Sequence, residues 1–262
     1  MLVKKKRVFA IAILLAWTAL VTLFSLVFAP HKPYIPTFFY FVAPSLYLAW
    51  KYPVNRKKVL MGALLIGILI PLSFDLLTNL NGAWIVPADK LLIPFQPFGF
   101  YPIDEIIWFF FVALYTLVFY EVFVDNEKIL RLSRNFKTAV LLWVIAIITT
   151  VVCILLAREF LLIRYPYLFI VAPSVFPPLV YIAYTKPWLL KKFIVPTIFF
   201  LFVSLNFEFV ALRLGHWAFK NEYLGWVFLL GQSFPLEEFL YWMLLYPAAA
   251  LSYYELLVDD GR

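Results

Sequence analysis

"QSFPLEEFLYW", residues Gln232 to Trp242, sets two adjacent glutamates, Glu237 and Glu238, behind a proline and at the head of a run of bulky apolar residues. An ionisable side chain in a bilayer costs roughly 2.5–3.5 kcal/mol on insertion scales. That cost is tolerated where the group faces protein or water instead of lipid. Whether these acids stand in a membrane is the question on which the fold turns.

Composition answers it. The 262 residues are 65% hydrophobic, 21% aromatic and only 14% charged, which leaves too little polar side chain to cover a soluble domain. Several windows reach the roughly 20 apolar residues that a membrane helix needs. The expected fold class is all-α, a polytopic helical membrane protein. Eight spans are expected, at about 8–29, 36–51, 59–77, 103–124, 138–157, 166–185, 193–213 and 235–257. The second is short and contains Pro44, so a broken or tilted helix is expected there. Lys4, Lys5, Lys6 and Arg7 precede the first apolar run as they would in a signal peptide, but the run from Val8 to Ala29 is longer than a signal core. It is read as a retained helix.

Loop charges give an orientation. Lys51, Arg56, Lys57 and Lys58 lie between spans two and three; Lys128, Arg131, Arg134 and Lys137 between four and five; Lys186, Lys191 and Lys192 between six and seven. The opposite loops carry fewer. By the positive-inside rule both termini are expected in the cytoplasm. The net charge of +7 is accounted for by that orientation and gives no reason to invoke nucleic acid. The longest outer connections, about 78–102 and 214–234, are too apolar for simple loops, and "LLIPFQPFGFY" and "EYLGWVFLLGQSF" read as interfacial or re-entrant segments. A single cysteine, Cys153, excludes an intrachain disulfide, and two distant histidines, His31 and His216, exclude a histidine-rich metal centre. Neither metal nor cofactor is expected.

The glutamates belong to a repeat. Asp75 and Glu208, each after a phenylalanine, lie 133 residues apart; so do Trp84 and Trp217, and so do Pro102 and Pro235, which open "PIDE" and "PLEE". "VAPS" recurs at 42–45 and 171–174, an offset of 129. Two halves, 1–130 and 131–262, each of four spans, follow. An even number of spans per half makes the repeats parallel, related by an axis near the membrane normal. Six carboxyls (Asp75, Asp104, Glu105, Glu208, Glu237 and Glu238) then gather on the outer side. A proline at a helix start followed by acids is also an ordinary helix-initiation signal, favoured by the helix dipole. Adjacent helical residues point about 100° apart, so one acid of each pair is expected to face the interior and the other to be structural. Clustered carboxyls in a dry cavity cannot all ionise, which makes them a proton source, and aromatic faces stabilise cations without attacking them.

"FDLLTNLNGAW…PIDEIIWFF" and "FEFVALRLGHW…PLEEFLYW" resemble the two halves of the integral-membrane, non-flavin lycopene cyclases in their fused form. The first half has Asp104 where that family has a first glutamate, and Glu208 stands for its usual aspartate. The resemblance implies a redox-neutral isomerase of carotenoid biosynthesis that protonates and closes the end group of a linear, apolar polyene. It implies Glu237, Glu238, Glu105 and Asp104 as acid candidates, Asp75 and Glu208 as relay or base, and Trp84, Trp217, Trp108 and Trp242 as substrate contacts. The chain lacks GxGxxG, so the soluble flavin-dependent cyclases are not its relatives; the lack of an aspartate-rich diphosphate motif and of a mid-span lysine argues against a prenyltransferase and a retinal Schiff base. A proton-coupled transporter of a small solute remains the alternative, since parallel repeats and intramembrane acids also describe carriers. A protein whose acids are merely interfacial is the third reading.

Overall fold

A computed structural model describes residues 2–125 and 131–259. Lys128, Asp260 and the expected boundary between the halves at 130/131 involve residues outside this set. The chain is a helical membrane protein. Among the described residues, six helical stretches are long and apolar enough to cross a bilayer: Lys6–Phe28, Arg56–Leu80, Asp104–Phe123, Phe136–Leu161, Tyr167–Thr185 and Pro187–Arg213. The other two expected spans are helical but segmented. One comprises α2 (Tyr34–Thr37), a π-helical turn Phe38–Val42 and α3 (Ala43–Lys51). The other comprises a π stretch Glu238–Leu245, α10 (Tyr246–Tyr253) and a second π turn, Tyr254–Val258.

Prolines account for most of the π turns. Pro44 stands two residues beyond the turn Phe38–Val42, Pro71 two beyond Leu65–Leu69, Pro173 two beyond Tyr167–Val171, and Pro247 two beyond Glu238–Leu245. A proline inside a helix has no N–H for the ladder, and its ring strikes the carbonyl of residue i−4. A locally wider turn relieves that clash and keeps the helix going. The sequence thus writes four of these helix irregularities, and the last of the four carries Glu238.

The core is built around α6 (Asp104–Phe123), whose inner face from Val112 to Phe123 is almost wholly buried. It packs on α3, on α4 (Arg56–Leu64) and on the π turn Leu65–Leu69. A second pile joins α1 (Leu2–Phe28), α8 (Ala172–Thr185), α9 (Pro187–Arg213) and α10. α7 (Phe136–Ala157) lies at the periphery against α5 (Ile70–Leu80). It leaves Leu141, Leu142, Ile145, Ile148 and Leu155 exposed, as α1 leaves Val8, Phe9, Leu20 and Val27. Apolar faces of that extent suit lipid and not water.

Gly67 marks the tightest approach to α6. A Cβ there would stand 2.7 Å from the Phe110 Cα and 2.8 Å from the Phe109 carbonyl oxygen. Both are backbone atoms that cannot swing aside. Gly67→Ala is expected to destabilise the fold by about 1–3 kcal/mol through overpacking. Thermal unfolding in detergent checks this, and an unchanged midpoint would mean that the two helices do not approach so closely.

Helices α5 and α9 end in the same way. Gly82 (φ 61°) and Gly215 (φ 62°) take the left-handed conformation that closes a helix. The Ala83 N–H then bonds back to the Thr78 carbonyl at 2.9 Å, and the His216 N–H to the Ala211 carbonyl at 2.8 Å. The next residues are Trp84 and Trp217. Beyond them Ile85 and Ala218 exchange both backbone hydrogen bonds, at 2.9 and 3.0 Å. The segment at 214–234, expected to be interfacial or re-entrant, contains a β-hairpin, β1 (Trp226–Leu229) with β2 (Gln232–Pro235), turned at Leu230–Gly231. A hairpin satisfies its own backbone groups, which is what a short apolar loop at a membrane surface requires.

At the opposite end of the bundle the chain buries an ionic network. Lys58, 1% exposed, bonds Glu121 at 2.7 Å and Asp259 at 2.9 Å. Lys192 approaches Asp125 at 3.4 Å. The Tyr120 hydroxyl donates to Glu255 at 2.5 Å, and the Tyr254 hydroxyl donates to Glu121. Lys58 and Lys192 had been expected as loop charges; both are tied into the protein. Their partners lie in "YEVFVD" (120–125) and "YELLVD" (254–259), a second repeat 134 residues apart.

Candidate functional site

Pro102 delivers the chain into α6 with Asp104 and Glu105 in its first turn, and β2 delivers Leu236 and Glu237 into the π stretch that opens on Glu238. Because consecutive helical residues diverge by about 100°, each pair divides its work. Asp104 accepts hydrogen bonds from the backbone N–H groups of Leu92 (2.6 Å) and Ile93 (3.1 Å). Glu237 accepts from the Leu224 N–H at 2.5 Å. These first acids hold the connecting loops over the end of the bundle.

The second acids point inward. Glu105 is buried; its Oε1 accepts from the Trp84 indole N–H at 2.7 Å and its Oε2 from the Asn79 amide at 2.8 Å. Behind it Asp75, fully buried on α5, accepts at Oδ1 from Thr78 and Asn79, both at 3.1 Å. The Asp75 carboxyl has Glu105 and the Tyr101 hydroxyl as its neighbours. Tyr101 lies just ahead of the helix, and burial, with the two carboxylates beside it, pushes its phenol well above the usual range. It is therefore a donor throughout.

Glu208, on α9, is equally buried and accepts from the Trp217 indole N–H at 3.0 Å. Its electrostatic neighbour is Glu238, whose Oε2 accepts from the Tyr167 hydroxyl. Tyr167 in turn packs against Trp84 with ring centroids 5.8 Å apart. The two acid pairs, Asp75 with Glu105 and Glu208 with Glu238, thus meet across one aromatic partition.

Between them lies a cavity of about 170 Å³. Glu105, Glu208, Glu238 and Asp104 line it, while Asp75 stands one layer back and Glu237 lies outside the lining. The remaining wall is largely apolar and aromatic, with Thr37 and Ser174 as its other polar members, and it includes all four tryptophans singled out in the sequence. Trp108 and Trp242 face each other at 4.4 Å, and Trp242 meets Tyr246 at 4.5 Å. The Trp108 indole N–H and the Tyr246 hydroxyl have no hydrogen-bond partner among the described residues. Chemically, the arrangement offers carboxyl protons and carboxylate bases to an apolar guest, with ring faces for any positive charge that develops on it.

Asn79, Tyr101 and Tyr167 were not singled out in the sequence. Asn79 had a legible signal, one helical turn after Asp75. Tyr167 had one too, since "PY" precedes "VAPS" in both halves, at 33–34 and 166–167. At the other end of the bundle Glu121, Asp125 and Asp259 bring ligand-type atoms within 4.8 Å of one another, the only such group of three or more among the described residues. The Lys58 ammonium already binds two of the three, so the position a cation would take is served by a side chain.

Comparison with family models, with curated proteins and with solved structures found no match to this chain.

Proposed function

We propose that the protein is a cyclase of linear carotenoids, an isomerase that closes the polyene end group by acid-initiated carbocation chemistry. The observation that carries this reading is the meeting of Glu105, Glu208 and Glu238 in one buried cavity whose other walls are apolar and aromatic. A diphosphate finds acids there and no basic side chain in the lining. An apolar polyene finds a fitting wall, a proton and a base.

The steps balance without a redox partner. A protonated carboxyl gives its proton to the terminal double bond, leaving a carboxylate and a tertiary cation. The neighbouring double bond attacks that cation, closing a six-membered ring and moving the charge into it. A carboxylate removes a ring proton, and the proton count of the site returns to its starting value. Paired carboxyls in a dry cavity suit this cycle, because two adjacent anions repel and one proton is shared between them. Trp108, Trp242, Trp84 and Trp217 are the rings placed to stabilise the cation, at about 0.5–2 kcal/mol each.

The architecture in this reading is eight spans in two parallel halves, 1–130 and 131–262, related by a two-fold axis near the membrane normal, with both termini in the cytoplasm. Reciprocal contacts between equivalent positions support it, since a two-fold axis produces them. Ile85 and Ala218 exchange bonds at an offset of 133, and Trp108 meets Trp242 at 134. The inner network crosses likewise, Tyr120 to Glu255 and Tyr254 to Glu121.

Expression in cells that accumulate lycopene tests the activity. A shift of the pigment to cyclic carotenoids is expected; unchanged lycopene with folded protein in the membrane overturns the reading. A proton-coupled carrier is the second reading, favoured by the buried ion pairs that close the lysine end, as a gate would. A carrier leaves the pigment unchanged.

A further inference from the structure

Only three residues lining the cavity are exposed: Tyr34 at 41%, Leu92 at 50% and Ile107 at 42%. They come from three separate elements, α2, the loop before α6, and α6 itself. All three lie in the first half of the chain. A residue that both lines a cavity and meets the outside marks its mouth. Ile107 stands within the first turn of a membrane-spanning helix, and the neighbouring loop carries the exposed apolar side chains of Ile93 and Phe95. The mouth is therefore flanked by lipid-compatible surface.

No second-half residue that lines the cavity is exposed to that degree, and a four-residue difference accounts for the contrast between the two tyrosines. The π turns Phe38–Val42 and Tyr167–Val171 sit equivalently ahead of the two "VAPS" segments. In the second half "PY" runs directly into that turn, so Tyr167 is its first residue, buried, with its hydroxyl on Glu238. In the first half the extra helical turn α2 intervenes, and Tyr34 is carried to the surface. Glu105 is held by Trp84 and Asn79 instead. One tyrosine closes its side; the other stands at an open one.

From this asymmetry we infer that Tyr34, Leu92 and Ile107 frame a lateral portal through which a long apolar chain dissolved in the bilayer passes one end into the cavity. The occupant follows from the rim, whose exposed side chains are mostly apolar and include one in the first turn of a membrane-spanning helix, and from the cavity behind it, whose wall is largely apolar and aromatic. The inference rests on the cyclase reading for the identity of that chain. Asp104, through its bonds to the Leu92 and Ile93 N–H groups, is then the residue that positions the rim.

The test uses the full chain in vesicles with lycopene as the probe. Ile107→Trp and Leu92→Trp are expected to slow cyclisation about tenfold or more by narrowing the mouth. Ile148→Trp, on the lipid-facing side of α7, is expected to match the wild type. A second readout needs no turnover. In a Cys153→Ser background, Ile107→Cys is labelled with a lipid-soluble maleimide, and lycopene is expected to slow the labelling. Its small side chain keeps that measurement open if the tryptophan variants fold poorly. Wild-type rates in both tryptophan variants, or labelling indifferent to lycopene, would overturn the portal. A wild-type protein that makes no cyclic product would overturn the cyclase reading, and lycopene protection would still decide the portal.

Discussion

Glu238→Gln is expected to lower cyclisation by about 10²–10⁴-fold, the usual contribution of a positioned acid or base, while the protein stays folded in the membrane. Glutamine has nearly the volume of glutamate and still accepts the Tyr167 hydroxyl, so the hydrogen bond that positions the side chain survives. What disappears is the exchangeable carboxyl proton. Glu105→Gln is expected to act in the same direction, because Trp84 and Asn79 can still donate to the amide oxygen while the carboxyl is lost. Glu237→Gln is the contrast. Its carboxylate accepts from the Leu224 N–H and lies outside the cavity lining, and a glutamine oxygen accepts equally well. It is expected to keep most of the activity and to cost at most about 1 kcal/mol in the lost interaction with the helix start. Carotenoid product per unit of folded protein is the measurement. Near-wild-type product from both Glu238→Gln and Glu105→Gln would make the carboxyls structural and remove the proton-donor reading.

Lys58→Met is expected to be the most destabilising single change at the other end of the molecule, at about 3–5 kcal/mol. Lys58 is 1% exposed and holds Glu121 and Asp259 together at 2.7 and 2.9 Å. Removing the ammonium leaves two acids close together without their cation. The cost arises from the acids left behind, more than from the bond itself. The triple variant Lys58→Met, Glu121→Gln, Asp259→Asn is therefore expected to recover most of the loss, since neutral groups need no counter-charge. Chemical or thermal unfolding in detergent compares the two. A loss below about 1 kcal/mol for the single variant would place the pair in the class of weak, solvated salt bridges and would remove the network as a clasp between the two parts of the chain.

Much of the fold was legible in the amino-acid order. Apolar run length dictates membrane helices whatever their neighbours, because a bilayer offers no other partner for the backbone. The offset of 133 in the sequence set Asp75 against Glu208 and Trp84 against Trp217 as matching positions, and each tryptophan proves to donate to a buried glutamate. The prolines located the π turns, because the clash they relieve is local. Local chemistry also pointed to Glu105 and Glu238 as one member each of a divided pair. It could not say which member, because the sense of rotation at a helix start depends on how the chain enters. Here β2 and the Pro102 turn decide it: Asp104 bonds the loop backbone at the edge of the cavity, Glu237 bonds the loop outside it, and Glu105 and Glu238 turn into the buried interior.

Long-range pairing was decided by the tertiary structure alone. Nothing in the order of residues places Tyr167 on Glu238 across 71 positions, or Lys58 on Asp259 across 201. The lysine at 58 reads as a loop charge because its own neighbours are basic; it becomes a buried ion pair only because α4 packs beside the C-terminal helix. The hairpin at 226–235 was hidden for a similar reason. "WVFLLGQSF" is apolar enough for a membrane segment, and only the covering position of that loop makes antiparallel pairing the cheaper way to satisfy its backbone. Sequence determined which residues can live in the bilayer and which chemistry was carried there. Packing determined which of those groups meet, because hydrogen bonds and repulsions between carboxyls depend on separations of a few ångströms that no spacing along the chain specifies.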